Sequence, residues 1–156
     1  MHFPSPFRRF LAAFCAPFAL ASCADPDPLY VDQAWVGLSA QPNNPSSGYF
    51  VIHGGPEAVT LRSVTADGAQ RIEMHESMMG EGGMMRMQPL DSVAVPAKGK
   101  VAFAPGGKHL MIWAINPAIV KDGKLPMTLF FSNGDRLIVD AAIRKPGDAA
   151  PSTDER

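Results

Sequence analysis

Apolar and polar residues alternate along most of the chain, which is the period of a half-buried β-strand. In residues 136–143, for example, every second residue from Leu137 to Ile143 is apolar. Proline and glycine end most of these segments, and Asn133-Gly134 before the last one is a strong hairpin signal. The candidate strands are residues 31–39, 49–53, 59–64, 71–75, 84–87, 92–95, 100–104, 109–115, 127–131 and 136–143.

Short strands punctuated in this way predict an all-β fold, an antiparallel β-sandwich. Residues 69–79 allow a helix as the weaker alternative to a strand, because Gly68 and Gly80 bracket them and their apolar stripe is only partial. Residues 116–122 are expected to form a single helical turn. Both tryptophans, Trp35 and Trp113, are expected in the core.

The N-terminus, residues 1–22, predicts a lipoprotein signal peptide. Arg8 and Arg9 supply the positive start, and residues 10–20 are an apolar run that is too short for a permanent membrane-spanning helix. Export to an extracytoplasmic space follows from this interpretation.

Leu20-Ala21-Ser22-Cys23 resembles a bacterial lipobox, in which the cysteine is lipidated and becomes the new N-terminus. Cys23 is therefore the predicted lipidation site, residues 23–29 the tether, and the periplasmic face of a membrane the predicted location. The alternative is an ordinary signal peptide cut near Ala24, with Cys23 incidental.

Composition describes a globular domain, predicted over residues 30–144, with a polar tail at residues 145–156 that is expected to be disordered. The 156 residues are 46% hydrophobic and 19% charged, and their net charge is −1. A chain without a basic excess lacks the electrostatic footprint of a nucleic-acid-binding protein. No pair of carboxylates, Ser/His/Asp set or phosphate loop indicates an enzyme. A monomer is expected.

Methionine is concentrated in one segment. Core filling is the ordinary use of methionine, but Gly80, Gly82 and Gly83 interrupt this segment, and glycine-rich loops usually lie on the surface. A thioether is a soft, uncharged ligand that suits Cu(I). Six of the nine methionines of the chain lie there: Met74, Met78, Met79, Met84, Met85 and Met87.

Two histidines extend this candidate copper chemistry. His109 and Met111 are two residues apart on a predicted strand, so they share a face about 7 Å apart. With His75 at the start of the methionine segment, the predicted metal ligands are His75, Met87, His109 and Met111. Met85 is the alternative to Met87, because the two share a face.

The spacing of these residues resembles the signature of the PCuAC-type periplasmic copper chaperones. Met87 is followed by twenty-one residues and then by His109-x-Met111, as in the family, whereas eleven residues separate His75 from Met87, one more than usual. Gly83-Met-Met-Arg-Met87 and Leu125-Pro-Met-Thr-Leu129 are also similar to the family.

The resemblance implies a cupredoxin-like antiparallel Greek-key β-sandwich that binds one Cu(I) per domain. It implies delivery of copper to a respiratory oxidase copper centre, with a copper-accepting oxidase subunit or another copper chaperone as partner. Two alternatives stay open: a periplasmic copper buffer or resistance protein, and a metal-free interaction lipoprotein with a methionine-rich docking patch. His53 is expected to lie away from the metal. Trp113 shares a face with His109 and Met111 on a regular strand, and shielding of the copper is the alternative to its expected core position.

Overall fold

The computed structural model describes residues 27–41 and 43–148, and most of these residues are in β-strands. The predicted signal peptide, the lipidation site Cys23 and residues 149–156 of the predicted tail lie outside the described residues. None of the helices within the described part of the chain has the length and hydropathy of a membrane-spanning segment.

Each of the ten predicted segments forms a strand, with ends that shift by a few residues. One 3₁₀ turn, Glu81–Gly83, lies between the fourth and fifth strands. The strands are β1 Tyr30–Gly37, β2 Ser46–His53, β3 Val59–Thr65, β4 Ala69–Met79, β5 Met85–Leu90, β6 Val93–Val95, β7 Lys100–Phe103, β8 Lys108–Ile115, β9 Lys124–Phe131 and β10 Arg136–Arg144.

The two segments with possible helical character have different outcomes. Residues 69–79 form strand β4, so the helical alternative is wrong there. The predicted helical turn is confirmed as α1, Pro117–Asp122. The Asn116 side chain caps its start by accepting a hydrogen bond from the backbone N–H of Ala118 at 2.9 Å. Gly123 ends it at φ 76°, a left-handed conformation that glycine adopts without strain.

The strands form one ten-stranded sheet in the order β5-β4-β8-β7-β2-β1-β10-β9-β3-β6. The prediction of purely antiparallel pairing is wrong at two places, because β1 pairs with β10 and β7 with β8 in parallel. Turn signals constrain only strands that follow each other along the chain, and β1 and β10 lie at opposite ends of it. β7 and β8 do follow each other, and their parallel pairing is limited to Phe103 and Lys108, on either side of the turn between them. The sheet is therefore mixed.

A single hydrophobic core lies against one face of the sheet, and β8 shows how this core positions the opposite face. Leu110 and Ile112 on β8 are almost completely buried in the core. Because side chains alternate along a strand, His109 and Met111 point to the other face. Trp35 does not lie in the core as expected, since it is only half-buried and packs against Tyr49, with ring centroids 4.4 Å apart.

Candidate metal centre

Three neighbouring strands at one end of the sheet, β5, β4 and β8, carry the predicted metal ligands on one face. On β4 and β8, His75 lies directly opposite His109. Residues in directly opposed positions of an antiparallel pair project to the same side of the sheet. The pairing therefore brings together two imidazoles that are thirty-four positions apart in the sequence.

The two imidazole rings are close and mostly shielded from solvent. Their centroids are 6.2 Å apart and their planes are inclined by 35°. His109 is 6% exposed and the His75 side chain 14%. Since a ring nitrogen binds a metal ion at about 2 Å, this separation allows both rings to reach a single ion.

His109 is oriented by the backbone two residues before it. Its Nδ1 lies 2.9 Å from the carbonyl oxygen of Gly107, which can only accept a hydrogen bond, so Nδ1 carries the proton. The other ring nitrogen, Nε2, then has a free lone pair. A hydrogen bond from one ring nitrogen to a carbonyl is the usual way in which a metal-binding histidine is fixed.

His75 is oriented by a carboxylate. Its Nε2 lies 3.1 Å from Oε2 of Glu73, which accepts the N–H, and its Nδ1 then has the lone pair. This Nδ1 is buried and has no hydrogen-bond partner among the described residues. An unsatisfied buried polar atom is costly, and a metal ion bound to this nitrogen would satisfy it.

The register places Met87 nearer to the imidazoles than Met85. Met87 lies opposite Ser77, two residues from His75 on β4, whereas Met85 lies opposite Met79, four residues away. At the rise of a strand these separations are about 7 Å and about 14 Å. Sequence reasoning left the two methionines as alternatives, and the register favours Met87 as the neighbour of the histidines.

Met111 lies on the other side of the imidazole pair. It follows His109 on the same face of β8, and it pairs across the strands with Glu73. Its side chain is half-buried. Met87 and Met111 therefore flank the two rings from opposite directions.

Most methionines of the candidate segment are exposed, as the sequence predicts. Met74 is the exception, because it is 6% exposed and belongs to the core. The exposed ones lie on the β4–β5 hairpin, and they are Met78, Met79, Met84, Met85 and Met87.

Sequence reasoning missed the two hydrogen-bond partners of the histidines. Glu73 precedes His75 by two residues, and a carboxylate at this spacing on a strand is a signal that could have been used. Gly107 acts through its backbone carbonyl, and because every residue has one, the sequence contains no signal for this role.

Trp113 lies on the same face and is not in the core, contrary to expectation. It is half-buried, and the Arg71 guanidinium lies over its ring, 4.0 Å from the centroid. Arg71 also contacts Glu73, with Nε 3.4 Å from Oε1. Trp113 thus borders the group of side chains that orients His75, on the side away from the hairpin.

His53 lies in another environment. It stacks on Tyr30 with ring centroids 4.1 Å apart, and its Nε2 is 3.0 Å from Oδ1 of Asp32. Ser47, on the same strand, pairs with Met111, and His53 is six residues further along. This is about 20 Å at the rise of a strand.

Among residues 27–41 and 43–148, no group of three or more His, Cys, Asp or Glu side chains is arranged to hold a metal ion. The candidate site consists instead of the two imidazoles and the neighbouring thioethers.

Comparison of the sequence with protein-family models identifies the family. The LpqE-like family, described as "Putative lipoprotein LpqE-like", matches residues 29–143. The chain belongs to this family. A relative of the LpqE-like chain, "Putative lipoprotein Lxx21020" of Leifsonia xyli subsp. xyli, is 26% identical over 134 residues, which are 83% of this chain and 80% of the relative. Membership in a lipoprotein family supports an extracytoplasmic, lipid-anchored protein.

Solved structures confirm the resemblance to PCuAC domains. The apo PCuAC domain from PmoF1 is 25% identical, with a TM-score of 0.62 over 79% of the LpqE-like chain and 98% of that domain. The copper-bound PCuAC domain from PmoF2 is 19% identical, with a TM-score of 0.60 over 79% and 97%. Apo-DR1885 from Deinococcus radiodurans is 18% identical, with a TM-score of 0.54 over 94% and 98%. The last two similarities show the fold alone.

Proposed function

We propose that this LpqE-like protein is an extracytoplasmic Cu(I) chaperone that binds one copper ion through His75, Met87, His109 and Met111. It delivers the ion to a respiratory oxidase copper centre, by contact with a copper-accepting oxidase subunit or another copper chaperone. It acts as a monomer, held to the membrane by the lipid on Cys23. Its strands follow the Greek-key connections of a cupredoxin-like sandwich.

The observation that carries this proposal is the orientation of the two imidazoles. Gly107 and Glu73 each occupy one ring nitrogen of a histidine, so that Nε2 of His109 and Nδ1 of His75 are left with lone pairs. The His75 atom is buried without a partner in the described part of the chain. Such a pair has the lone pairs that a metal ion requires.

The methionines decide which metal fits. Two neutral imidazoles and two thioethers add no negative charge, and thioether sulfur favours Cu(I) over harder ions such as Mg²⁺ and Ca²⁺. A copper-bound PCuAC domain is among the structures with this fold. The donor set and the fold both support copper as the bound metal.

The position of Met87 suits transfer of the ion. Met87 is 55% exposed and belongs to β5, an edge strand of the sheet that pairs with β4. Met87 and Met111 flank the rings from opposite sides, so both flexible thioether side chains must turn towards the imidazoles to share one ion with them. A ligand on an edge strand can leave the ion first and make room for an acceptor's ligand.

Competition for Cu(I) against a chromophoric chelator tests the site. We expect the purified protein to withdraw one equivalent from the chelator, and a variant with H109A and M111A to withdraw much less. M78L is the matched control, because Met78 is exposed on the same hairpin but projects to the other face of β4. Equal affinity in the double variant would exclude the proposed site, and failure of the unmodified protein to withdraw copper from the chelator would favour a metal-free docking patch.

Transfer distinguishes a chaperone from a copper buffer. The copper-loaded protein is mixed with an apo oxidase copper domain. The control is a chelator that binds Cu(I) as tightly as that domain does. A chaperone transfers faster to the oxidase domain than to the chelator, since ligand exchange requires a specific contact. Equal rates would indicate a buffer or resistance protein that uses the same site.

A further inference from the structure

The tip of the β4–β5 hairpin carries three thioethers on one face, and the imidazole site uses only one of them, Met87. Met79 and Met85 are directly opposite each other in the last pair before the turn. Met87 follows Met85 by two residues, so all three project to the same face of the hairpin. Their exposed fractions are 71%, 58% and 55%, so none of the three is needed to fill the core.

The backbone fixes the spacing of this group. The Gly80 N–H donates to the Met84 carbonyl at 2.8 Å, which closes the hairpin immediately beyond the Met79–Met85 pair. Gly82 and Gly83 both have φ of 77°, which glycine adopts without strain and which makes the tight turn possible. Directly opposed residues have Cβ atoms about 5 Å apart, and the next residue on the same face is about 7 Å further along.

We infer that Met79, Met85 and Met87 form a second, all-thioether binding site for Cu(I) at the hairpin tip. Three uncharged sulfurs at this spacing suit a soft monovalent ion, and they offer nothing to ions that require oxygen or charged ligands. The exposure of the three side chains allows an ion to enter directly from solvent or from a donor protein. This site needs neither imidazole, but it shares Met87 with the imidazole site, so the tip keeps Met79 and Met85 when Met87 binds an ion at the imidazoles.

Met87 connects the tip site to the imidazole site. It lies one step from Met79 and Met85 in one direction and one step from His75 in the other. An ion captured at the tip can thus reach the imidazoles while Met87 stays bound to it, with Met79 and Met85 exchanged for ring nitrogens. This relay, unlike the tip site itself, rests on the proposed function.

The test removes the imidazoles and counts copper. A variant with H75A and H109A should still bind one equivalent of Cu(I), more weakly than the unmodified protein, and X-ray absorption should show sulfur neighbours and no imidazole. Adding M79L and M85L should abolish this binding. Adding M78L and M84L instead should not, because these two methionines alternate to the opposite face of the hairpin.

Each outcome has one meaning. If the variant without imidazoles binds no Cu(I), or if M79L with M85L leaves its binding unchanged, the tip site is wrong while the proposed function stands. If removal of the imidazoles changes nothing and M79L with M85L abolishes all binding, the imidazole site is wrong and the tip site stands.

Should loss of His109 unfold the protein, methionine methyl resonances provide the second measurement. With both histidines intact, a second equivalent of Cu(I) should shift those of Met79 and Met85, and unshifted resonances would contradict the tip site.

Discussion

His75 and His109 face each other across adjacent antiparallel strands, with ring centroids 6.2 Å apart. This relationship depends on the pairing of β4 with β8, since neither residue lies near the other in the sequence. The pairing places the rings together, and the hydrogen bonds that the histidines donate to Gly107 and Glu73 decide which nitrogens are left with lone pairs.

The carboxylate of Glu73 should raise copper affinity without contacting copper. E73A removes the acceptor that holds the His75 ring, and loss of such a partner weakens metal binding about 10- to 100-fold. E73Q should lose less, because its amide oxygen still accepts the Nε2–H. The measurement is chelator competition with both variants.

Arg71 provides the control for this experiment. It contacts Glu73 and stacks over Trp113, but it makes no hydrogen bond with either histidine among the described contacts. R71A should therefore change the affinity much less than E73A. If E73A and R71A weaken binding equally, the effect comes from disruption of the contact between Arg71 and Glu73 rather than from loss of the acceptor that orients His75.

The register predicts unequal roles for two methionines that sequence reasoning left as alternatives. M87L should weaken the tightest Cu(I) site and remove one sulfur from its X-ray absorption spectrum, because Met87 is the nearer to His75. M85L should leave that first equivalent almost unchanged. Leucine preserves the volume of methionine, so stability should change by less than about 1.5 kcal/mol in either variant. A larger effect of M85L would mean that β5 shifts its register when copper binds.

The sequence predicted all the strands because each depends on local alternation and on the Pro and Gly residues that end it. It could not predict that β1 lies parallel beside β10, because no turn connects them. Residue types and spacing predicted the candidate ligands, but they did not predict how the strands that carry these ligands pair. The orienting carbonyl of Gly107 has no sequence signal, whereas Glu73, two residues before His75, has one.

His53 should be dispensable for copper. Its ring stacks on Tyr30 and contacts Asp32, about 20 Å along β2 from the residue that pairs with Met111. H53A should leave the Cu(I) affinity unchanged, as measured by the same competition. Weaker binding in H53A, with the fold intact by circular dichroism, would show that copper is also bound at the β1–β2 end of the sheet.

Leu110 should couple the core to the metal centre. It is completely buried, and it lies between His109 and Met111 on β8, on the core side of the strand. L110A leaves a cavity beneath these two residues, and such substitutions cost about 2–5 kcal/mol. Denaturant unfolding measures this loss, and I138A is the control, because Ile138 is 75% exposed and surface changes stay within about 0.5 kcal/mol. If L110A costs no more than I138A, β8 does not anchor the candidate site to the core in the way described.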